Sequence, residues 1–444
     1  TVPLDEFVER RLSTWPDHRQ ARVRQNLATA LAVLTARLHD AGFVHQDFHP
    51  GNILVRMEDD DRPELAIIDL DALRVCHTLR WPDAQLNLAL LNHYFWLRCG
   101  RADRYRFLNT YLEARRASPP DPRAFARGIE EATRAWAERL WRRWGRRCCG
   151  TNKYFVKRRE SRAYTWGIAV RDLDREVIRS LLADPDAVFG RKGTILYKDA
   201  RTTSIAETTL SVGGRPTRVI YKRFNQRGWL DPFLTYFRPS RAWQSWQAGQ
   251  HMASRAIPTP RNLAFIARTR PFAQDLFWYL PHETYLITVK EEPSVTLSDY
   301  LRTVYPALAP ADQRVQVRRL GSALARLMRT LHERSLSDRD VKASNILVLG
   351  DPAEGDVQLS LIDLVGVRLW HPLPLHRRTQ NLSRLYLSLA EVPGRTRTDL
   401  LRFLRAYLPW GLSPHNDWKG FWRAVEARGH VKRRRNARRN RVLS

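Results

Sequence analysis

Residues 331–348 read LHERSLSDRDVKASNILV, and this stretch decides the fold. It contains Asp340 and, five positions later, Asn345, and it leads directly into an apolar, strand-like segment. A second apolar run, residues 359–362, follows an acidic turn and is followed directly by Asp363. An Asp, an Asn five residues on and a further Asp after a hairpin are the side chains that ATP-dependent phosphoryl transfer requires.

Each of these side chains would have its own task in such a reaction. Asp340 would orient the attacking hydroxyl group and accept its proton, and Lys342 would follow the transferred phosphate as a cation. Asn345 and Asp363 would hold Mg²⁺, because this ion prefers hard oxygen ligands. The alternative is a turn in which Asp and Asn only cap local backbone, and for a single copy of the pattern that would be the better interpretation.

The pattern occurs a second time near the N-terminus, which weakens the local-turn alternative. Residues 27–55 align with residues 320–348 without a gap, at a constant shift of 293 positions, and a shift of 294 then pairs Asp69 with Asp363. Leucine-rich helices can align by chance, but chance does not also match His, Asp and Asn, so we interpret the repeat as a tandem duplication. The counterparts in the first copy are Asp47 for the catalytic Asp, Asn52 and Asp69 for the metal ligands, and His49 in place of Lys342.

Residues 186–292 contain several segments with the pattern of β-strands. Gly213 and Gly214 mark a hairpin between two apolar runs, and the second run, residues 217–224, carries Lys222. Only nine of the 75 Lys and Arg residues are Lys, and a lysine on such a strand reaches the α- and β-phosphates of ATP as a point charge. A solvent-exposed lysine at a strand edge is the alternative. The preceding loop offers hydroxyl groups and backbone amides that would cradle phosphate, from Thr202, Thr203 and Ser204.

The order of these segments predicts an α+β protein. Three strands, a helix at 241–256 and two further strands precede a helical half, which is the order of a protein-kinase-like bilobal fold with a small β-rich N-lobe and a helical C-lobe. The second copy is complete, whereas the first has a C-lobe only. The predicted boundaries are 1–150 for the first C-lobe, 151–185 for a basic, aromatic connector, 186–292 and 293–430 for the two lobes of the second copy, and 431–444 for a basic tail. We expect upstream coding sequence for roughly a hundred further residues with a Lys-bearing strand, since the repeat places the first N-lobe there.

The composition restricts the partners. The 444 residues carry a formal net charge of +29, which indicates an anionic partner such as phospholipid, lipopolysaccharide or nucleic acid, or else an arginine-rich source genome. The basic C-terminal segment is either solvated or docks on acidic lipid or glycolipid. The four cysteines show no CxxC and no ligand-like spacing with His, which indicates a reducing compartment and no zinc site. No apolar window is long enough for a membrane span.

Several departures separate the chain from ordinary protein kinases. No G-x-G-x-x-G lies between the first two strands of residues 186–292, and the helix at 241–256 contains no Glu to pair with Lys222. Asp363 is followed by Leu and Val rather than by Phe and Gly, and no Ala-Pro-Glu comes after it. A peptide-docking activation segment is therefore not expected.

These residues resemble the lipopolysaccharide kinases of the Kdo/WaaP type. The resemblance covers nearly all of residues 186–425 and, for the C-terminal half of that fold, residues 1–150. It rests on KDARTTS (198–204), IYKRF (220–224), AIPTP (256–260), HQDFHPGN (45–52), DRDVKASN (338–345) and the Ile-Asp-Leu endings at 68–70 and 362–364. The second copy departs from the family at Asp338, where His is usual.

The resemblance implies a cytoplasmic kinase that uses ATP and Mg²⁺ to phosphorylate a hydroxyl group of a lipopolysaccharide core sugar or related glycolipid. The charge allows peripheral contact with the anionic inner face of the cytoplasmic membrane, and neither nucleic acid nor zinc is expected as a partner. The first copy, without a visible N-lobe, is not expected to bind ATP well by itself. Two alternatives stay open: a protein Ser/Thr/Tyr kinase, and a non-catalytic pseudokinase scaffold that binds anionic lipid, which the missing glycines and helix Glu favour.

Overall fold

The computed structural model describes residues 1–58, 60–225, 239–269, 281–350, 357–389, 396–408, 412 and 417–438. The chain forms two compact units, Thr1–Arg143 and Trp144–Ser444. The first unit therefore ends slightly before the predicted boundary at residue 150.

The first unit consists of helices and two small antiparallel sheets. Its elements are β1 Val2–Pro3, α1 Leu4–Glu6, α2 Asp17–Asp40, β2 Phe43–His45, β3 Ile53–Met57, β4 Pro63–Ile67, β5 Leu73–Val75, α3 Trp81–Arg98, α4 Arg101–Ala114 and most of α5 Pro122–Arg147, whose last four residues belong to the second unit. The sheets have the strand orders β1-β3-β4 and β2-β5. Leu27 and Leu31 of α2 are buried in one cluster with Ile53 and Leu91, which explains the leucine spacing that predicts this helix.

The second unit begins with a seven-stranded antiparallel sheet. Its elements are β6 Phe155–Glu160, β7 Thr165–Val170, α6 Arg175–Ala183, β8 Ile195–Ala200, β9 Thr203–Val212, β10 Arg215–Phe224, α7 Arg241–Ser254, β11 Asn262–Thr269 and β12 Pro281–Val289. The strands lie in the order β6-β7-β11-β12-β10-β9-β8. Helix α7 buries Trp246 in the same core as this sheet, and the indole N–H of Trp246 donates to the carbonyl oxygen of Cys148 at 2.9 Å.

The segment 151–185, interpreted from sequence as a connector, instead supplies β6, β7 and α6 to this unit. Strand β7 pairs with β11 and is mostly buried, whereas β6 forms an edge of the sheet. Lys157, Arg158 and Arg159 are exposed on β6, and such charges protect an edge strand from pairing with other chains. Because of these charges β6 lacks the alternating apolar pattern that predicts a strand, and the segment was therefore interpreted as a connector.

The hairpin predicted at Gly213 and Gly214 is confirmed, because these two residues alone join β9 and β10. Both glycines have positive φ, +59° and +72°, which is the backbone of two-residue turns that match the twist of paired strands. The resulting register places Lys222 opposite Ile205 on β9 and opposite Leu286 on β12. Lys222 therefore lies on an inner strand of the sheet.

Helices dominate the rest of the second unit. The elements are β13 Ser294–Thr296, α8 Leu297–Asp299, α9 Pro310–Glu333, β14 Leu336–Asp338, β15 Ile346–Leu349, β16 Gln358–Leu361, β17 Val367–Leu369, α10 Leu375–Ser388, α11 Arg397–Tyr407 and α12 Trp418–Ala437. Two small sheets have the orders β13-β15-β16 and β14-β17. The predicted α+β class, with a β-rich lobe followed by a helical one, is confirmed.

The C-terminal segment is more regular than predicted. The tail expected from residue 431 is helical as far as Ala437, and from residue 439 it lies outside the described residues. No helix in the described ranges has both the length and the hydropathy needed to cross a lipid bilayer.

The two units repeat the same local structures at the shift of 293 residues. Helices α2 and α9 have equal length, and β1, α1 and β2 of the first unit correspond to β13, α8 and β14 of the second. In each unit a buried histidine of the long helix bonds a tyrosine hydroxyl and an Asn oxygen, at 2.8–3.1 Å. The groups are His39, Tyr111 and Asn87 in the first unit, and His332, Tyr407 and Asn381 in the second. Descent from a duplication remains our interpretation of this repeat.

Candidate active site

Asp340 and Asn345 are held together by a tight loop between β14 and β15. The Asn345 side chain donates from Nδ2 to the carbonyl oxygen of Asp340 at 3.0 Å. The backbone N–H of Ile362 donates to the carbonyl oxygen of Asn345 at 2.9 Å, which ties the loop to the end of β16. Because Nδ2 is engaged, Oδ1 of Asn345 is the atom that remains to bind a cation.

Asp363 follows β16 and precedes a short 3-10 turn, Leu364–Gly366. Its backbone is left-handed, with φ +58° and ψ +61°, a conformation that is uncommon for a residue with a Cβ atom. Asp69 in the first unit adopts the same conformation, with φ +60° and ψ +55°. The second Asp of the pattern thus has the same backbone geometry in both units.

Lys222 reaches Asp363 from the sheet. Its Nζ lies 2.8 Å from Asp363 Oδ1, and the two side chains are 17% and 38% exposed, respectively. Nζ also lies 5.1 Å from the centre of the Phe224 ring. The alternative of a solvent-exposed lysine at a strand edge does not agree with this position. Lys222, predicted to bind phosphate, is therefore in direct contact with Asp363, predicted to bind the metal ion.

Asp338 is the last residue of β14, directly before the loop, and it is fully buried. Its Oδ1 accepts the backbone N–H of Asp340 at 2.9 Å, whereas its Oδ2 has no hydrogen-bond partner among the described residues. Burial, with smaller contributions from the charges of Asp340 and Asp363, raises the pKa of Asp338 to about 7. This carboxyl group therefore carries a proton on a substantial fraction of molecules at neutral pH.

The first unit places His45 where the second has Asp338. Nδ1 of His45 accepts the backbone N–H of Asp47 at 3.2 Å, and Nε2 donates to the carbonyl oxygen of Ile68 at 3.2 Å. The imidazole ring thus uses both of its polar atoms, whereas Asp338 uses one. A proton on Oδ2 of Asp338 would restore the donor that His45 supplies with Nε2.

Gly366 is needed for the close approach of Asp338. A Cβ atom at this position would lie 2.3 Å from Asp338 Oδ1 and 3.0 Å from the backbone nitrogen of Asp340. The backbone N–H of Arg339 donates to the carbonyl oxygen of Gly366 at 3.1 Å, so the turn and the loop are in direct contact. The first unit has Ala72 at the corresponding position.

The predicted phosphate cradle is less open than the sequence indicates. Thr203 and Ser204 are buried, and their hydroxyl groups are engaged within the protein. Oγ of Ser204 donates to Asp199 Oδ1 at 2.7 Å, and Oγ1 of Thr203 accepts from Arg241 Nη2 at 3.0 Å. Both hydroxyl groups would have to give up these hydrogen bonds, which lie beside the β8–β9 turn, before they could bind phosphate as predicted. Thr202, which is half-buried, remains the better placed of the three.

In the first unit Asp47, Asn52 and Asp69 reproduce the loop but not the contact with a lysine. Nδ2 of Asn52 donates to the carbonyl oxygen of Asp47 at 2.9 Å. Nε2 of His49 lies 3.4 Å from Asp47 Oδ2. Within the part of the chain that the structure describes, Asp69 has no ion pair. The first unit thus repeats the arrangement of Asp47, Asn52 and Asp69, but no cation among the described residues pairs with Asp69.

The donor set in the second unit fits a magnesium ion that is bound together with phosphate. Across the described ranges, no cluster of three or more His, Cys, Asp or Glu side chains is arranged to hold a metal ion. Mg²⁺ commonly takes one or two carboxylates and completes its shell with phosphate and water. The free Oδ1 of Asn345 and the carboxylate of Asp363 are such hard oxygen donors, so the residues present fit this ion.

Two cations near the loop were missed by the sequence reasoning. Lys342 and Asp340 line a small pocket together with Arg384 of α10 and Lys432 of α12. The repeat in the sequence points to Arg384, because the shift of 294 positions pairs this residue with Leu90 in the first unit. A position that is leucine in one copy and arginine in the other indicates that the two copies use it for different roles.

Comparisons with known proteins relate both units to one family. The sequence profile of the lipopolysaccharide kinase (Kdo/WaaP) family matches residues 5–111 and 226–407. A solved structure, WaaP in complex with acyl carrier protein, matches with a TM-score of 0.42 and 24% sequence identity, covering 58% of this chain and 97% of that chain. A comparison with curated proteins found no match.

Proposed function

The chain belongs to the lipopolysaccharide kinase (Kdo/WaaP) family and is therefore a kinase, and from this premise we propose that its second unit carries out the phosphoryl transfer. The donor would be ATP with Mg²⁺, and the acceptor a hydroxyl group of a lipopolysaccharide core sugar or related glycolipid. The observation that carries the proposal is the 2.8 Å contact of Lys222 with Asp363, the residue predicted to complete the metal site with Asn345.

Asp340 orients the acceptor hydroxyl group in the proposed reaction and takes its proton as the new oxygen–phosphorus bond forms, while the bond from the γ-phosphorus to the bridging oxygen breaks and ADP leaves. Its backbone is fixed on both sides, because Asn345 binds its carbonyl oxygen and Asp338 accepts its N–H. A loop held in this way keeps the carboxylate in one direction before the acceptor arrives. General-base assistance of this kind contributes about 10²- to 10⁴-fold to a rate.

The remaining residues hold the donor. Mg²⁺ bound with ATP would neutralise the charge that develops on the transferred phosphate. Asn345, through Oδ1, and Asp363 would ligate the ion, and Lys222 would hold the α- and β-phosphates. Lys342 would follow the γ-phosphate as a point charge, and the turn at Thr202 would offer backbone N–H groups to the phosphates.

We propose that the first unit does not support this reaction by itself. Asp47, Asn52 and Asp69 have the geometry of their counterparts, but no lysine meets Asp69 among the described residues. His49 contacts Asp47 at 3.4 Å and so occupies the side chain that would meet an acceptor. The first unit is then a second copy of the loop with a separate task.

The proposed site of action is the inner face of the cytoplasmic membrane, with peripheral contact. The net charge of +29 supports contact with an anionic lipid surface. An acceptor that is part of a glycolipid would be presented at the same surface.

A non-catalytic pseudokinase scaffold that binds anionic lipid is the second candidate, and one observation favours it. Helix α7 offers no Glu to Lys222, and the lysine instead engages Asp363, on which metal binding depends. If this contact persists when nucleotide is present, the site would not hold the ion. A protein kinase, the other alternative, has no comparable support.

The test is a transfer assay with the full chain, γ-labelled ATP and Mg²⁺. Three parallel reactions contain lipopolysaccharide with a truncated inner core, a mixture of proteins, or no acceptor. We expect label in the saccharide only. Label on protein side chains would instead identify a protein kinase. No transfer, combined with no change in thermal stability on addition of Mg·ATP, would leave the scaffold as the function.

A further inference from the structure

A small basic pocket adjoins Asp340 on the helical side of the second unit. It contains about 340 Å³ of empty space, part of it open to solvent. Its three cations come from three different elements: Lys342 from the loop, Arg384 from α10 and Lys432 from α12. Asp340 is the one acidic residue in its lining.

None of the three cations has a salt bridge within the described part of the chain. All three side chains are half-buried rather than spread into solvent. Burial lowers the pKa of Lys432, and the neighbouring charge of Arg384 lowers it further. Burial likewise lowers the pKa of Arg384. Like charges that are gathered and partly desolvated cost free energy, and an anion between them would recover it.

The first unit shows that this pocket is not a requirement of the fold. At the corresponding positions it has His49 in place of Lys342 and Leu90 in place of Arg384. Leu90 packs against the hydrophobic core of that unit. The loop and its helices are therefore compatible with an uncharged residue at this position, so the fold does not require the charge of Arg384.

We propose that Lys342, Arg384 and Lys432 bind an anionic substituent, a carboxylate or a phosphate, that the acceptor carries close to the hydroxyl group being phosphorylated. The inference rests on the proposed function, because it assigns the acceptor side of the same site. Lys342 is shared with the γ-phosphate in the proposed reaction, but Arg384 and Lys432 are assigned to no part of the nucleotide. The residues assigned to the nucleotide alone, Lys222, Asn345 and Asp363, do not line the pocket. The anion in the pocket thus belongs to the acceptor, and it places the acceptor hydroxyl group at Asp340.

Charge-assisted hydrogen bonds explain why two long cations from separate helices are used. Arg384 offers a planar fork of N–H groups that matches a carboxylate or a phosphate. Lys432 and Lys342 add point charges from the other sides, and the side-chain amide of Asn436 lines the same pocket. With a neutral sugar, Asp340 would be the one negative charge in the lining against three cations, so the pocket favours anionic acceptors.

The experiment measures binding of a deacylated lipopolysaccharide core oligosaccharide by calorimetry, separately from Mg·ATP. Three forms serve as probes: the native oligosaccharide, a dephosphorylated form and a carboxyl-reduced form. Arg384→Leu reproduces the residue of the first unit, and Lys432→Gln removes the second charge. Arg434→Gln, an exposed arginine on the same helix as Lys432, is the matched control for net charge.

We expect each pocket variant to bind the native oligosaccharide about tenfold or more weakly, while the control binds normally and Mg·ATP affinity stays unchanged in all of them. If the dephosphorylated oligosaccharide binds wild-type protein as weakly as the native oligosaccharide binds the variants, the bound group is a phosphate. If the carboxyl-reduced form does so, the group is a carboxylate. Unchanged oligosaccharide affinity in both variants would overturn the proposal, as would an equal loss of Mg·ATP affinity. If Mg·ATP fails to bind wild-type protein, the proposed function fails, and the oligosaccharide results still decide on the pocket.

Discussion

Lys222 Nζ and Asp363 Oδ1 lie 2.8 Å apart, although the two residues are 141 positions apart in the chain. The contact joins an inner strand of the N-lobe sheet to the turn after β16 in the C-lobe. It also joins the two parts of the proposed donor site, since the lysine is assigned to phosphate and the carboxylate to the metal ion. Nucleotide binding should therefore depend on both residues.

Replacing Lys222 by Ala should weaken Mg·ATP binding by about tenfold or more, because a charge-assisted contact to phosphate is lost. The stability of the protein should change by less than about 1 kcal/mol, since the pair is partly exposed and screened by solvent. Calorimetric titration with Mg·ATP and thermal unfolding measure the two quantities. Lys192→Ala, an exposed lysine of the same lobe, is the control. Equal nucleotide affinity of Lys222→Ala and wild type would contradict the assignment.

Replacing Asp340 by Asn should lower phosphoryl transfer by about 10²- to 10⁴-fold, because the variant lacks the group that we propose as the base for the hydroxyl proton. Mg·ATP affinity should be retained, since the backbone bonds of the loop do not use this carboxylate. The matched variant is Asp47→Asn, the same change in the first unit, and it should leave transfer unchanged. If Asp47→Asn removes activity and Asp340→Asn does not, the two units have been assigned the wrong way round.

Asp338 should make stability dependent on pH. Its pKa is about 7 in the folded protein against an ordinary value of 3.8, so the folded state binds this proton more tightly. The free energy of unfolding should therefore fall as the pH rises from about 4 to about 7, and the full penalty should be present above that range. Each pH unit in this range corresponds to about 1.4 kcal/mol at most.

Asp338→Asn removes this ionisation and keeps an acceptor for the N–H of Asp340. Relative to wild type, the variant should gain stability in chemical denaturation as the pH rises from about 4 to about 7, and the difference should be constant above that range. Asp312→Asn, an exposed residue of the same unit, should follow wild type. Parallel curves for wild type and Asp338→Asn would show that Asp338 is ionised throughout.

Replacing Gly366 by Ala should displace the loop that carries Asp340, because the new Cβ atom would lie 2.3 Å from Asp338 Oδ1. We expect a loss of about 1–3 kcal/mol in stability from overpacking, together with reduced transfer. Gly321→Ala on α9 meets open space and should be neutral or stabilising by up to about 1 kcal/mol. A fully active and stable Gly366→Ala variant would show that the turn moves freely away from the loop.

The sequence predicts those parts of the molecule that depend on local or repeated patterns. The Gly213-Gly214 hairpin has a turn that few other residues allow, and the leucine spacing of α2 reflects one buried face. The loop from Asp340 to Asn345 was identifiable because it occurs twice. Each of these signals is contained in a short segment of chain or in a comparison of two segments.

The parts that were missed depend on contacts across the chain or on burial. The charged edge strand β6 has no alternating apolar pattern, so its place in the sheet follows only from its pairing with β7. The partner of Lys222 cannot be read from sequence, because α7 offers no acid and the acid that it meets is 141 residues away. The pocket of Arg384 and Lys432 needs two helices and a loop to meet. The engagement of Ser204 with Asp199 likewise appears only when β8 and β9 are paired.

The left-handed backbone of Asp363 has a further meaning when it is compared with Asp69. Such a conformation costs on the order of 1–3 kcal/mol and persists only where the surroundings hold it. Asp69 keeps it without an ion pair among the described residues, so the lysine is not what maintains it. The free-energy cost of the left-handed backbone is therefore already offset when the protein folds and does not have to be supplied by ligand binding. Asp363 is preorganised, and a cation that binds there loses little affinity to conformational entropy.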